Sequence, residues 1–229
     1  MCGRARADHL VRNCAKGATR LRSANRHGDE ERATRYLEEA ESFFRETGDP
    51  LGQAATLANL AANAWNRGDH GRAVGFYRSA IALLRGAGEL GNLAQACVGL
   101  AFVSIRSGDT GGAGAALAEA FRTLEALKAR NTLFAGALLA AGERASALGR
   151  HEEAARLLGA ADALLGKLGL RFGPTDVWWM ERPACEARGR AALGDERWSA
   201  RHAEGAALPA DRLDAAIRAE RLDGSGEGR

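Results

Sequence analysis

Two glycine-rich stretches are the first candidates for a functional motif, because glycine-rich loops can bind the phosphates of nucleotides. GAGELG (86–91) matches the G-x-G-x-x-G pattern, in which a helix N-terminus follows a strand and receives the pyrophosphate of a dinucleotide. Here it follows the helical run VGFYRSAIALLR and occupies the same loop position as TGDPLG (47–52), so we interpret it as a turn between helices. GDTGGAG (108–114) lacks the Lys-Ser/Thr ending of a phosphate-binding loop. Neither stretch predicts a nucleotide cofactor.

The metal-binding and nucleophilic residue types are also scattered. HEEAA (151–155) has Ala155 where a zinc protease motif requires its second histidine. Histidines at turn positions are His27, His70 and His151. The cysteines, which form no C-x-x-C pair and which we interpret as reduced thiols, are Cys2, Cys14, Cys97 and Cys185. No spacing groups a nucleophile with a base, so the sequence predicts no enzyme, no metal and no cofactor.

Composition and charge indicate a helical chain with one basic arm. The sequence is rich in Ala and Leu and has only four prolines among its 229 residues. No apolar run reaches the roughly 18 residues of a membrane span, and no signal peptide is recognisable, so we expect a cytoplasmic protein. Residues 1–27 carry a net charge of +6 and the remainder −3. Such an arm could contact DNA phosphates, although no aromatic residue interleaves its charges.

A repeat of about 40 residues runs through most of the chain. HGDEERATRYLEEA (27–40) resembles RGDHGRAVGFYRSA (67–80), SGDTGGAGAALAEA (107–120) and LGRHEEAARLLGAA (148–161). Glycine recurs at intervals of 40, 40 and 41, and two alanines recur with it. Because the glycine-to-alanine spacings stay constant, the additional residue is predicted in the loop around Lys128–Asn131.

Each repeat predicts two helices joined at the Gly-Asp. Glycine permits the left-handed residue that ends the first helix, and aspartate caps the second. In the first helix of each repeat, we number positions from residue 54, 94 or 135, which is position 1. Positions 4, 7, 8 and 11 then form one apolar stripe, and position 8 always holds a small residue. Such hairpins cannot bury their own apolar faces, so neighbouring hairpins must stack as in a solenoid.

Small residues at positions 8, 20 and 27 are the signature of tetratricopeptide repeats, which this region resembles. The matching residues are Ala61, Ala73 and Ala80; Ala101, Ala113 and Ala120; and Gly142, Ala154 and Ala161. The period of 40 exceeds the usual 34 or so and resembles the longer-helix variant of the maltose-regulator (MalT-like) type of bacterial transcription activator. The resemblance implies a right-handed α-solenoid of about three and a half hairpins over 28–170, followed by a helical C-terminal cap at 171–222 and a disordered tail at 223–229.

The segments 154–170 and 181–217 resemble the helical tail that ends the repeat region of large ATP-binding regulators with a LuxR-type DNA-binding domain. Neither the ATP-binding nor the DNA-binding domain is recognisable here. The first repeat is also degenerate, because its upstream helix at 14–29 places Gly17 and Arg20 on the apolar stripe. Residues 1–27 are therefore either a basic arm with a polar capping helix or the start of a piece of a longer ancestral protein.

In tetratricopeptide proteins, positions 2, 5, 9 and 12 of the same helix line the concave groove. Here they are Ala55, Ala58, Ala62 and Trp65; Gln95, Val98, Phe102 and Ile105; and Gly136, Leu139, Glu143 and Ser146. The family's clamp for C-terminal carboxylates is missing, so the trough suits an amphipathic helix or an internal segment. The candidate binding residues are Trp65, Gln95, Phe102, Ile105 and Glu143. Packing of this stripe against neighbouring helices is the alternative.

VWWM (177–180) has two interpretations, because adjacent tryptophans on a helix point about 100° apart. In the first interpretation, VWWM and Trp198 cover the open apolar end of the last repeat. In the second, VWWM is an aromatic anchor for a binding partner.

These observations favour a non-catalytic module for protein–protein interaction or effector sensing in a bacterial signal-transduction or transcriptional regulator. The partner is expected to be a protein, a peptide or a small effector bound by the concave face. The alternative is a transcriptional regulator that contacts DNA directly through residues 1–27; membrane binding is not expected.

Overall fold

The computed structural model describes residues 26–170 and 182–209, and every regular element within them is a helix. The helices are α1 (Arg26–Thr47), α2 (Pro50–Asn66), α3 (His70–Ala87), α4 (Leu90–Arg106), α5 (Thr110–Ala126), α6 (Thr132–Ala147), α7 (His151–Lys167), α8 (Arg182–Leu193) and α9 (Asp195–Ala206). The all-α prediction is therefore confirmed for this part of the chain. Most of the basic arm, VWWM and the C-terminal tail lie outside the described residues.

The predicted turn chemistry is present at the repeat boundaries. Gly68, Gly108 and Gly149 have φ values of 78°, 81° and 74°, and each ends a helix. A residue with a Cβ atom adopts this left-handed conformation only at an energetic cost, which explains the recurring glycine. The carboxylates of Asp69 and Asp109 then cap α3 and α5, accepting hydrogen bonds from the N–H groups of Arg72 (3.1 Å) and Gly112 (2.7 Å).

The same left-handed residue also ends the second helix of each hairpin. Gly48 and Gly88 have φ values of 67° and 72°, so a helix ends in this way about every 20 residues. GAGELG is accordingly a turn between α3 and α4, as predicted. Lys128 (φ 50°) takes the equivalent place after α5. Lys128 lies in the loop between α5 and α6, which spans residues 127–131. The equivalent loop one repeat earlier, between α3 and α4, spans only residues 88–89. The longer loop confirms the predicted location of the additional residue.

The first repeat departs from the predicted turn. Gly28 and Asp29 lie inside helix α1 (Arg26–Thr47), so this Gly-Asp pair does not separate two helices and the predicted turn is wrong here.

The predicted apolar stripe is buried at every position in all three helices. Its residues are Leu57, Leu60, Ala61, Ala64, Cys97, Leu100, Ala101, Ser104, Leu138, Ala141, Gly142 and Ala145. The recurring alanines of the second helices are also fully buried, namely Ala73, Ala80, Ala113, Ala120, Ala154 and Ala161. The repeat pattern therefore identifies the core correctly.

The chain separates into two compact units at Ala96/Cys97. In the N-terminal unit (residues 26–96), α2 packs against both α1 and α3. The ring of Phe44 lies against Gly52. The rings of Phe43 and Phe44 meet edge to face with their centres 5.6 Å apart.

In the C-terminal unit (residues 97–170 and 182–209), glycines bring the helices unusually close. A Cβ atom on Gly159 of α7 would lie 2.0 Å from the carbonyl oxygen of His202 in α9. A Cβ atom on Gly205 of α9 would lie 1.9 Å from the carbonyl oxygen of Arg156. The two backbones are therefore in direct contact, with no room for a methyl group.

The C-terminal helices α8 and α9 also pack against each other. The ring of Trp198, which is 1 % exposed, lies directly over Gly189 of α8. The prediction that Trp198 packs in the C-terminal cap is thereby confirmed for the described residues.

Candidate binding site

The predicted groove residues have different environments, and the units are considered separately. In the N-terminal unit, Trp65 is buried (6 % exposed) and Gln95 is exposed. In the C-terminal unit, Phe102 and Glu143 are buried (2 % and 3 % exposed), whereas Ile105 is partly exposed. Trp65 and Phe102 thus have a structural role in the core, and only Gln95 and Ile105 offer substantial side-chain surface. Whether any of the five binds a partner stays a prediction.

Helix α6 has no exposed groove stripe, because α8 packs against it. The Sγ atom of Cys185 lies 3.9 Å from the carbonyl oxygen of Gly142. The Nε atom of Arg188 donates a hydrogen bond of 3.4 Å to the hydroxyl of Ser146. All four predicted groove residues of α6 are buried. For this helix, the alternative that the stripe packs against neighbouring elements is therefore confirmed.

An open pocket of about 530 Å³ remains beside the C-terminal end of α6. Two of its lining residues, Ile105 and Glu143, were predicted, and the structure brings them together. The full lining is Ile105, Arg106, Glu143, Ala147 and Arg188. Sequence reasoning missed both arginines. Arg106 directly follows the predicted Ile105, but nothing in the repeat indicates that Arg188 returns to α6.

The carboxyl group of Glu143 is the unusual feature of this pocket. Burial raises the pKa of Glu143 to about 8, and the guanidinium groups of Arg188, Arg106 and Arg182 lower it only in part. Among the residues that the structure describes, none forms a hydrogen bond or an ion pair with this carboxyl group. At neutral pH Glu143 is therefore mainly protonated, and it presents a hydrogen-bond donor as well as an acceptor to the pocket.

Arg182, the third of these arginines, is bound by two other carboxylates. Its two Nη atoms donate hydrogen bonds of 2.5 Å to the two carboxylate oxygens of Asp162. Its Nε atom donates another to Glu186 at 2.7 Å.

The nearby thiol is not activated. Cys185 is fully buried, and this burial is the main reason why its pKa is raised to about 11. A thiol with so high a pKa holds its proton at neutral pH and is a poor nucleophile.

The N-terminal unit contains a smaller cavity of about 130 Å³. Asn63 lies in its wall, and the Nδ2 atom of Asn63 has no hydrogen-bond partner among the residues described. Arg72 also lines it, with its guanidinium carbon 5.4 Å from the centre of the Phe76 ring. A cavity of this size and polarity is suited to a few water molecules.

Comparison with protein-family models and with curated proteins finds no match to this sequence. Within the described ranges, no helix has the length and apolar character needed to cross a membrane. The same ranges contain no group of three or more His, Cys, Asp or Glu residues that could hold a metal ion.

Proposed function

We propose that the chain is a non-catalytic binding module of tetratricopeptide-like repeats, and that it senses an effector or a partner segment in a bacterial signalling or transcriptional regulator. The observation that carries the proposal is the open pocket at the end of α6, where predicted groove residues Ile105 and Glu143 meet. The pocket is lined by two apolar and three ionisable side chains, so it offers a ligand both apolar surface and polar groups.

Three features support a tetratricopeptide-like arrangement of the hairpins in a solenoid. The twelve stripe positions and the recurring alanines are buried. A Cβ atom on Gly142 would lie 3.1 Å from the Cδ2 atom of Leu158, so the small residue at position 8 serves a close contact within its hairpin. The helices also end at left-handed residues at the predicted period.

The burial of Trp65 and Phe102 determines how this function should be tested. Alanine at either position would open a core cavity and lower stability, so a loss of binding would be ambiguous. Ile105 is the better probe, since its side chain is partly exposed at the pocket. Leu168 provides the control because it is exposed (40 %) and does not line the pocket.

The test compares the tagged full-length chain with its Ile105→Ala and Leu168→Ala variants. Each is incubated with native lysate of the source organism, and the retained proteins and small molecules are identified by mass spectrometry. We expect one retained species that Ile105→Ala reduces at least fivefold and that Leu168→Ala leaves unchanged. Equal retention by all three, or none by folded wild type, would contradict the proposal.

A further inference from the structure

Within the part of the chain that the structure describes, the strongest unexplained feature is the carboxyl group of Glu143, which has no hydrogen-bond partner there and shares its pocket with two arginines. Only 3 % of the Glu143 side chain is exposed, and what is exposed lines the pocket. A buried polar group normally has a hydrogen-bond partner, and no described residue forms one with this carboxyl group. A ligand in the pocket would supply the missing partner.

The charges around Glu143 indicate which ligand chemistry fits. Arg106 reaches the pocket from the end of α4 and Arg188 from α8, so two guanidinium groups line it. A guanidinium group matches the planar geometry of carboxylate and phosphate oxygens, which it binds through paired N–H donors. A cationic ligand would instead be repelled by the guanidinium groups that line the pocket.

Arg188 is held in place by contacts of its own helix with α6. Its Nε atom donates to Ser146, and Cys185 of the same helix contacts the backbone of α6. Ile105 and Ala147 add apolar surface to the lining, which suits a ligand with a short carbon skeleton. The volume of about 530 Å³ lies within the range of small-molecule sites.

We propose that the pocket of Ile105, Arg106, Glu143, Ala147 and Arg188 binds a small organic acid through a carboxylate or phosphate group, with both arginines on the oxyanion and the Glu143 carboxyl donating a hydrogen bond to it. This inference rests on the proposed function and names the effector class of the same site. It makes the effector an acid of low molecular mass.

The proposed hydrogen bond requires the proton on Glu143, so binding depends on pH. The charged groups that act on this carboxyl are Arg106 on α4 and Arg188 and Arg182 on α8; no charged group of the packed helices α5 and α7 is among them. Above pH 8 the carboxyl ionises and repels the oxyanion. Affinity should therefore fall as the pH rises through this value.

The experiment is isothermal titration calorimetry on the full-length chain at constant ionic strength, at pH 6.5 and pH 9. The probes are succinate, citrate and inorganic phosphate, with the diamine putrescine as the cationic comparison. The variants are Arg188→Gln, Arg106→Gln and Glu143→Gln. Arg122→Gln is the matched control, because Arg122 is an exposed arginine of α5 that does not line the pocket. Thermal melts establish that every variant is folded.

We expect wild type to bind at least one oxyanion probe, with affinity at least tenfold lower at pH 9. Arg188→Gln and Arg106→Gln should each weaken binding at pH 6.5 by at least tenfold, and Arg122→Gln by less than twofold. Glu143→Gln should bring the ratio of affinities at the two pH values close to one. Binding of phosphate alone would identify a phosphorylated ligand, and binding of succinate or citrate alone a carboxylic acid.

Four results would overturn the inference: no oxyanion bound by folded wild type, preferential binding of putrescine, equal effects of Arg188→Gln and Arg122→Gln, or an unchanged pH ratio in Glu143→Gln. The Ile105→Ala retention experiment separates this failure from that of the proposed function. A species retained through Ile105 that carries no acidic group would leave the binding module standing and exclude only the organic acid.

Discussion

Helices α2 and α6 hold the same position in their repeats, yet their surfaces differ. In both, the apolar stripe that faces the hairpin partner is buried. On the second stripe, Ala55 and Ala62 of α2 are exposed, whereas the equivalent Gly136 and Glu143 of α6 are buried. The difference arises because α8 packs against α6 in the C-terminal unit. The repeat thus determines the buried stripe of each helix, and α8, which lies outside the repeat, covers part of the second stripe of α6.

The two units also differ in how their helices make contact. In the N-terminal unit, Gly75 lies on an exposed part of α3 with open space where a Cβ atom would be. In the C-terminal unit, Gly159 and Gly205 allow backbone contact between α7 and α9. Glycine at position 75 therefore weakens α3, whereas the glycines at positions 159 and 205 make a helix crossing possible.

The largest expected effect contrasts these glycines. Gly159→Ala should lower the free energy of unfolding by about 3 kcal/mol or more, since the added methyl group would overlap the backbone of α9. Gly75→Ala should raise it by about 0.5–1 kcal/mol because alanine is the better helix former. Urea unfolding of the full-length chain measures both. Changes of the same sign would show that the two units do not differ in this way.

The next effect concerns buried against exposed ion pairs. Arg182 is 6 % exposed and holds Asp162 and Glu186, so Arg182→Ala should cost about 2–3 kcal/mol, because Glu186 loses this ion pair and Asp162 keeps only its contact with His202. In the N-terminal unit, Arg72 and Glu38 are 3.8 Å apart and both more than half exposed, so Glu38→Gln should cost less than about 0.5 kcal/mol. Chemical denaturation of both variants in low salt measures these losses of stability. Equal losses in Arg182→Ala and Glu38→Gln would contradict the expected difference between buried and exposed ion pairs.

The smallest expected effect is the pH-dependent loss of stability that comes from burying Glu143. The equivalent residue of α2, Ala62, is exposed and has no ionisable group, so it causes no such loss. The pKa of this carboxyl is about 8 in the folded chain and has its ordinary value of 4.5 when unfolded. The folded chain therefore holds an extra proton between these values, and stability falls as the pH rises from 4.5 to about 8. Glu143→Gln removes this loss.

We expect Glu143→Gln to match wild type near pH 4 and to exceed its stability on the order of 2 kcal/mol at pH 9. This is less than the full linkage value because water reaches the ionised carboxylate from the open pocket. Denaturant unfolding at the two pH values makes the measurement, with Glu125→Gln as the control on an exposed glutamate. A stability difference independent of pH would show that Glu143 is not protonated by burial.

Much of the fold follows from local sequence rules. Periodicity identified the buried stripe, the pairs Gly68-Asp69 and Gly108-Asp109 identified two helix junctions, and the interrupted period located the longer loop before α6. Each depends on residues close together in the chain, where spacing alone determines geometry. By contrast, the arginine that completes the pocket, Arg188, lies 45 residues after Glu143. The repeat period gives no information about which later residue packs back against α6.

The groove prediction was less successful for a related reason. The helical stripe predicted Ile105 and Glu143 as groove residues, and both line one pocket, but Trp65 and Phe102 are core residues. Large aromatic side chains satisfy a core and a binding surface equally well in a sequence pattern. A useful signal was available in α6: it is apolar almost all round, which is typical of a helix covered on every side.

The contact between α7 and α9 has a consequence for the order of events during synthesis. In the N-terminal unit, α2 packs against the helices immediately before and after it, so each contact forms between segments made in succession. In the C-terminal unit, Asp162 of α7 must await His202 of α9, which is 40 residues away. At about 5–20 residues per second, the ribosome needs roughly 2–8 s to make that stretch. For this interval the emerging α7 lacks its glycine-mediated neighbour, and its face with Gly159 and Asp162 stays uncovered by α9.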